Sequence, residues 1–131
     1  MTDREDMVRA MCAAVDAGDA EAFGAWFAED ATYTFGNGET LVGREAIVAA
    51  TAGAAGALPW VRHVVDQVAD TGGGQLFCRF TISTAAPDGT EVALPCVTVM
   101  WLDGARVTDY RVHMDLTPAL PWPPGPDEGR G

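Results

Sequence analysis

Four long runs of alternating apolar and polar residues, joined by turn sequences, dominate the second half of this 131-residue chain. We place strands at residues 61–69, 76–85, 91–102 and 106–116. The turns between them are Gly72-Gly73-Gly74, Pro87-Asp88-Gly89 and Asp103-Gly104, all of which are typical of tight connections. Successive strands joined in this way pair antiparallel, so the pattern predicts a meander sheet.

The first half of the chain has helical periodicity. Met7 and Met11 lie at helical spacing in a first helix, and we expect Phe23, Trp26 and Phe27 to share one side of a second helix. A short hairpin and a third helix follow. Helices followed by a meander indicate an α+β fold, which we expect to be a cone-shaped, curled antiparallel sheet closed by three N-terminal helices.

The interior of such a cone is suited to a small apolar ligand. We expect residues 1–117 to form a single domain. The Pro/Gly-rich residues 118–131 are predicted to form an extended or disordered tail.

Composition excludes several classes of function. A net charge of −11 argues against partners such as nucleic acid or a membrane surface. The chain has no lysine, which excludes Schiff-base chemistry and a GK[ST] phosphate loop. Ser83 is the sole serine and lies outside any G-x-S-x-G elbow. Three cysteines without CxxC spacing, and the lack of a signal peptide or a membrane-spanning stretch, predict a cytoplasmic protein with free thiols.

Two of the long strands each present one ionisable face and one apolar face, because successive side chains point to opposite sides of a sheet. The ionisable face carries Phe77, Arg79 and Thr81 on one strand and Arg111, His113 and Asp115 on the other. The apolar face carries Cys78, Phe80 and Ile82 on one strand and Tyr110, Val112 and Met114 on the other. Either the ionisable face is solvent-exposed, or it lines a closed pocket while a partner subunit covers the apolar face. We adopt the pocket interpretation.

In that pocket a small set of side chains is suited to moving protons. Asp115 is a candidate general base, and a nearby Arg79 would lower the pKa of its carboxyl group. His113 and His63 are candidate acids or bases near neutral pH. Tyr33 is suited to orienting a water or donating to an oxyanion.

Candidate substrate-binding residues are aromatic or lie beside these groups. They are Trp26, Phe35, Trp60, Phe77 and Thr81. No metal is expected, because neither histidine has the spacing of a known metal-binding motif. No organic cofactor is expected either.

Three stretches resemble the SnoaL-like branch of the nuclear-transport-factor-2-like superfamily. They are residues 27–33 (FAEDATY), 43–47 (GREAI) and 107–116 (VTDYRVHMDL). The resemblance covers residues 4–117 and implies a cystatin-like α+β barrel. The family includes isomerases, dehydratases, cyclases, epoxide hydrolases and binding domains, so fold alone does not assign an activity.

A partial resemblance to limonene-epoxide hydrolase concerns particular residues. Its tyrosine, its arginine and its water-activating aspartate are similar to Tyr33, Arg79 and Asp115. Its asparagine falls on Phe35 and its acid aspartate on Thr81, which cannot protonate an epoxide oxygen as a carboxylic acid does. Scytalone dehydratase-like enzymes use histidines on the long strands, for which His63 is a possible match.

These observations favour a cofactor-independent enzyme without a metal. It would act by isomerisation, dehydration, cyclisation or hydration on an apolar, polyketide- or terpenoid-like metabolite. The alternatives are a non-catalytic binding or dimerisation domain, and an epoxide hydrolase with an altered acid partner. We also expect a homodimer through the apolar sheet face of Cys78, Phe80, Val112 and Met114.

Overall fold

The structure, a computed structural model, describes residues 3–120, except for the side chain of Ala55. Within that range it contains helices α1 Arg4–Asp16, α2 Ala20–Gly24 and α3 Arg44–Ala57, strands β1 Phe27–Phe35, β2 Leu41–Val42, β3 Val61–Gly72, β4 Gln75–Ala85, β5 Glu91–Asp103 and β6 Arg106–Met114, and a 3₁₀ turn at Thr117–Ala119. The predicted α+β class is confirmed, and each of the four long strands lies within three residues of its predicted bounds.

The strands form one sheet in the order β2-β1-β6-β5-β4-β3. The meander β3-β4-β5-β6 is antiparallel, as the tight turns predict. Strand β1 pairs parallel to β6, which corrects the expectation of a wholly antiparallel sheet. These two strands are far apart in sequence, so no hairpin fixes their relative direction. Because β2 and β3 are its two edges, the sheet curls without closing into a barrel.

The second helix is shorter than its apolar spacing predicts. It ends at Gly24, and Phe27 is the first residue of β1. The backbone N–H of Val107 donates to the carbonyl oxygen of Trp26 at 2.9 Å, which draws the chain into the sheet. Phe27 is fully buried, and its ring centroid lies 5.1 Å from that of Phe23. Tertiary pairing therefore overrides the local helical spacing.

The helices cover the apolar side of the sheet, which is the reverse of the predicted arrangement. Cys78, Phe80 and Val112 are 1%, 2% and 6% exposed and belong to the core beneath the helices. The ionisable residues Arg79 and His113 lie on the outer side and are exposed. The helices bury their apolar residues against the apolar face because this removes the most hydrocarbon from water and leaves charged groups hydrated. The predicted dimer contact through Cys78, Phe80, Val112 and Met114 is therefore wrong.

The folded region extends slightly beyond residue 117. Ala119 is 4% exposed and sits in the 3₁₀ turn, so residues 118 and 119 are not part of an extended tail. The remainder of the predicted tail, residues 121–131, lies outside the described residues. Across the described part of the chain, no helix combines the length and the apolar character needed to span a membrane.

Candidate functional site

A cavity of about 600 Å³ lies between the helices and the inner side of the curled sheet. Its walls are mostly apolar and come from every helix and strand. They include Val15 and Asp16 of α1, Phe23 of α2, Tyr33 and Phe35 of β1, Leu41 of β2, Ala50, Thr51 and Ala54 of α3, Val61 and His63 of β3, Phe80 and Ile82 of β4, Cys96 and Thr98 of β5, and Tyr110, Val112 and Met114 of β6. A cavity of this volume accommodates a small organic molecule.

Two polar side chains in the cavity wall, one from α1 and one from β3, form a hydrogen-bonded pair. His63 Nδ1 lies 2.6 Å from Asp16 Oδ1, and the backbone N–H of His63 donates to Asp16 Oδ2 at 2.8 Å. Both side chains are largely buried, with 13% of His63 and 25% of Asp16 exposed. A carboxylate accepts hydrogen bonds only, so Nδ1 carries the proton in this contact.

The ring of His63 is fixed from a second direction by Phe80, in an edge-to-face contact with centroids 5.8 Å apart. With Nδ1 bound to Asp16, Nε2 is the ring nitrogen left for other chemistry. With the proton on Nδ1, Nε2 is a proton acceptor, and the hydrogen bond to Asp16 holds the ring in one orientation. A histidine held in this way is suited to general acid–base catalysis.

Two tyrosines from adjacent strands stack in the cavity wall. The rings of Tyr33 and Tyr110 lie 5.3 Å apart and 6° from parallel. Among the described residues, neither hydroxyl has a hydrogen-bond partner, yet neither is sealed from solvent. Burial raises the pKa of Tyr33 to about 12, and burial raises the pKa of Tyr110 well above its ordinary value. Both hydroxyls therefore stay protonated at neutral pH and are available to a ligand.

The predicted site residues divide between the two sides of the sheet. Tyr33, Phe35, Trp60 and His63 line the cavity. The others predicted as catalytic or substrate-binding do not line it, namely Trp26, Phe77, Arg79, Thr81, His113 and Asp115.

Trp26, Phe77 and Thr81 have other surroundings. Trp26 packs half-buried against the core. Phe77 is 41% exposed on the outer face. The Thr81 hydroxyl donates to Asp66 Oδ2 at 2.7 Å, on the outer face.

Asp115 and Arg79 do not form the predicted base and its positioning partner. The Asp115 carboxylate accepts hydrogen bonds from the hydroxyl and the backbone N–H of Thr117, the latter at 2.9 Å, and these bonds lower its pKa. Arg79 pairs across β5 with Val97, which pairs with His113, so these three share the exposed outer face. The prediction that Arg79, His113 and Asp115 enter the pocket is wrong.

The cavity residues that sequence reasoning missed include Asp16 and Tyr110. Asp16 is the last residue of α1, and its partner lies 47 positions further along the chain. No local pattern signals such a contact. The alternation in β6 predicts Tyr110 on the apolar face of the sheet. Apolar side chains favour burial beneath the helices, and this is the face that lines the cavity.

The cysteines are structural, and the described part of the chain offers no metal centre. Cys12, Cys78 and Cys96 are buried free thiols. Burial raises the pKa of all three, so they are neutral at physiological pH. Between residues 3 and 120, no three His, Cys, Asp or Glu side chains gather as a metal site requires.

An open, curled sheet with helices over an apolar cavity defines the cone-shaped fold of nuclear-transport-factor-2-like and ketosteroid isomerase-like proteins. The chain superposes with a TM-score of 0.81 on a hypothetical protein of this fold from Catenulispora acidiphila DSM 44928, solved in complex with trimethylamine. The two are 26% identical over 94% of this chain and 100% of that one. A protein of unknown function from Burkholderia pseudomallei matches with a TM-score of 0.79 and 19% identity, over 91% of this chain and 98% of that one.

Within that class, the chain belongs to the SnoaL-like domain family, whose model matches residues 8–110. A structure assigned as a SnoaL-like polyketide cyclase from Jannaschia sp. CCS1 is 20% identical, with a TM-score of 0.72, over 89% of this chain and 93% of that one. The search of the curated proteins finds no match. The family resemblance predicted from the three sequence stretches is confirmed.

Proposed function

We propose that this protein is a cofactor-independent enzyme that moves a proton on a compact, largely apolar metabolite held in the cavity. The observation that carries the proposal is the Asp16–His63 pair, which fixes Nδ1 of an imidazole in the lining of a mostly apolar cavity and leaves Nε2 for a ligand. The family assignment supports the proposal, because the resemblance implies isomerases, dehydratases and cyclases. A polyketide- or terpenoid-like body fits the size and apolar character of the walls.

In this proposal His63 transfers the proton, and Tyr33 and Tyr110 stabilise the carbonyl oxygen of the substrate. His63 Nε2 takes a proton from carbon beside a carbonyl group and returns it to another carbon or to a departing hydroxyl oxygen. Tyr33 and Tyr110 hydroxyls donate to the carbonyl oxygen, where negative charge develops. The first outcome is isomerisation and the second is dehydration. In both, one proton leaves carbon and one proton is delivered, so the step balances and no cofactor is consumed.

A suitable test uses proton exchange on a generic probe. Cyclohex-3-en-1-one is incubated in heavy water with the protein, and NMR follows both deuterium uptake beside the carbonyl and formation of the conjugated enone. We expect His63→Ala to lower the catalysed rate by about 10²–10⁴-fold. His113→Ala is the matched control, because that histidine lies on the outer face, and it should retain the wild-type rate. Equal rates for wild type and His63→Ala would contradict the assignment.

The second candidate function is a non-catalytic small-ligand-binding domain of the same fold. It is favoured by the position of Arg79 and Asp115, two of the residues matched to a catalytic pattern, outside the cavity. Complex formation between trimethylamine and the Catenulispora protein also supports binding as a function of this fold. This candidate predicts ligand binding without any His63-dependent exchange. Because Arg79, Thr81 and Asp115 do not meet in the cavity, epoxide hydrolysis with an altered acid is not proposed.

We also propose a homodimer, now through the outer face of the sheet. Phe77, Val97 and Val64 are 41%, 40% and 47% exposed there. A second copy of the chain is a suitable partner, because a two-fold axis lets the same apolar patch cover itself. Light scattering should give twice the monomer mass, and Val97→Glu should halve it. A monomeric wild type at micromolar concentration would contradict the dimer.

A further inference from the structure

Within residues 3–120, the cavity wall contains hydrogen-bond acceptors but no lysine or arginine side chain. The chain has no lysine, and none of the seven arginines between residues 3 and 120 lines the cavity. Arg44 and Arg106 donate to backbone carbonyl oxygens of Phe27 and Ala25. Arg62 lies 5.4 Å from the ring centroid of Trp60, and its charge is 3.8 Å from Glu91.

The charged side chains that do line the cavity are acidic. Asp16 lies inside and accepts both hydrogen bonds from His63. Glu39 follows β1 and is exposed at the rim. Among the described residues, the wall therefore holds two carboxyl groups and neither a lysine nor an arginine. Apolar walls of low dielectric strengthen that negative potential inside the cleft.

Aromatic rings surround the same space. Phe23, Tyr33, Phe35, Trp60, Phe80 and Tyr110 all line it. The face of an aromatic ring carries partial negative charge and attracts cations, most strongly when water is excluded.

The hydroxyl of Tyr110 is an independent sign of a ligand contact. Tyr110 is 8% exposed and lines the cavity, and no described residue hydrogen bonds to its hydroxyl. The hydroxyl is not sealed from solvent, so it is open to a ligand that enters the cavity. A hydroxyl accepts a hydrogen bond from an ammonium group.

We propose that the cavity selects a protonated amine with a compact apolar body and rejects anionic ligands. The inference rests on the proposed function, because it names the substrate class of the same cavity. The carboxyl groups, the aromatic rings in the wall and the unpartnered Tyr110 hydroxyl all favour a positive charge. An anion would meet two carboxylates and no arginine.

Three rigid probes of equal size separate charge from shape: 1-adamantanamine, 1-adamantanol and 1-adamantanecarboxylate. The first is protonated at neutral pH, the second is uncharged and the third is anionic. Calorimetric titration of the full-length chain should give a dissociation constant about tenfold lower for the amine than for the alcohol. The carboxylate should bind more weakly than the alcohol.

A charge-removing variant tests the origin of the preference. Glu39→Gln should reduce the ratio of amine to alcohol affinity by several-fold. Glu29→Gln is the matched control, since Glu29 is exposed on β1 and does not line the cavity, and it should keep the wild-type ratio.

The outcomes distinguish this inference from the function on which it rests. Equal binding of amine and alcohol, or tightest binding of the carboxylate, would overturn the charge preference and leave the enzyme proposal standing. Binding of none of the three probes would overturn the charge preference and the ligand-holding cavity together. Preferred amine binding with no His63-dependent proton exchange would support the inference and contradict catalysis.

Discussion

Asp16 at the end of α1 holds His63 on β3 with both carboxylate oxygens, at 2.6 Å from the ring nitrogen Nδ1 and 2.8 Å from the backbone nitrogen. The contact joins a helix to the edge strand of the sheet and orients the imidazole that faces the cavity. One side chain therefore serves both the fold and the candidate chemistry. Its removal is expected to affect stability and the state of the imidazole ring separately.

Replacing Asp16 with asparagine tests that double role. The backbone N–H of His63 can only donate, so it takes the amide oxygen, and the amide NH₂ is left facing Nδ1. We expect Asp16→Asn to lower the free energy of unfolding by about 1–3 kcal/mol. Nitrogen NMR of the ring should show a loss of the Nδ1–H tautomer, which a purely structural role would not require. Asp30→Asn, an exposed carboxylate on β1, is the control and should change neither measurement.

The glycines at the helices give a pair of opposite predictions. A Cβ at Gly24 would collide with the side chain of Val48 on α3, whereas a Cβ at Gly53 meets nothing within 4 Å. Gly24→Ala should lower the free energy of unfolding by about 1–3 kcal/mol through overpacking. Gly53→Ala should raise it by about 0.5–1 kcal/mol, because alanine has the better helix propensity. Urea denaturation measures both, and a stabilised Gly24→Ala would contradict this packing of α2 on α3.

Because two thiols and a phenol are buried, we expect the free energy of unfolding to fall at alkaline pH. Burial raises the pKa of Cys12 and of Cys78 from 9.0 to about 12, and that of Tyr33 from 10.0 to about 12. The unfolded chain releases these protons first, so their stabilising contribution is fully present below about pH 9 and is lost as the pH rises towards 12. Each titrating group should lower stability by about 1.4 kcal/mol per pH unit in that window.

Urea unfolding between about pH 8 and 11 measures this loss. Cys78→Ala removes one of the titrating groups, so the stability of this variant should fall less steeply with pH than that of the wild type. Asp88→Asn is a control, because that exposed carboxylate in the turn before β5 titrates far below this range. A stability that is flat up to pH 11 would contradict the burial of the thiols.

Neighbouring alanines on α3 provide a steric test of the cavity. Ala50 lines it, whereas the adjacent exposed Ala49 does not. Ala50→Phe should abolish binding of 1-adamantanol in the calorimetric titration, because the phenyl ring enters the cavity. Ala49→Phe adds the same side chain outside the cavity and should bind the alcohol as the wild type does. Loss of binding in both variants would indicate a general distortion of α3 instead of occlusion.

Much of the fold is predictable from local signals. The glycines at residues 72–74, 89 and 104 have positive φ, the backbone conformation in which glycine is favoured. The positions of the turns can therefore be predicted from the sequence. Asp19 caps α2 by accepting from the backbone N–H of Ala22 at 3.0 Å, and aspartate is among the residues favoured at this position. These features depend on a few adjacent residues, and local chemistry is sufficient to specify them.

Local turn and capping residues do not predict the parallel pairing of β1 with β6. Tyr33 pairs with Tyr110 across 77 positions, and nothing in either segment encodes its partner. The same is true of the start of β1 at Phe27, where a helical spacing of aromatic residues is overridden by pairing with Val107. Long-range partners are decided by the packing of the whole chain, because the free energy of a pairing depends on everything that it buries.

The candidate site shows most clearly which features can be predicted from the sequence and which depend on the tertiary structure. Alternation in β4 and β6 sorted Phe80 and Val112 from Arg79 and His113 correctly, because successive side chains of a strand point to opposite sides. Which side became the interior was decided only when three helices buried their apolar residues against the sheet. The sequence by itself determined the two faces and the turns between the strands. The tertiary structure decided which face encloses the cavity and brought Asp16 to His63, since burial and a contact across 47 positions depend on the assembled chain.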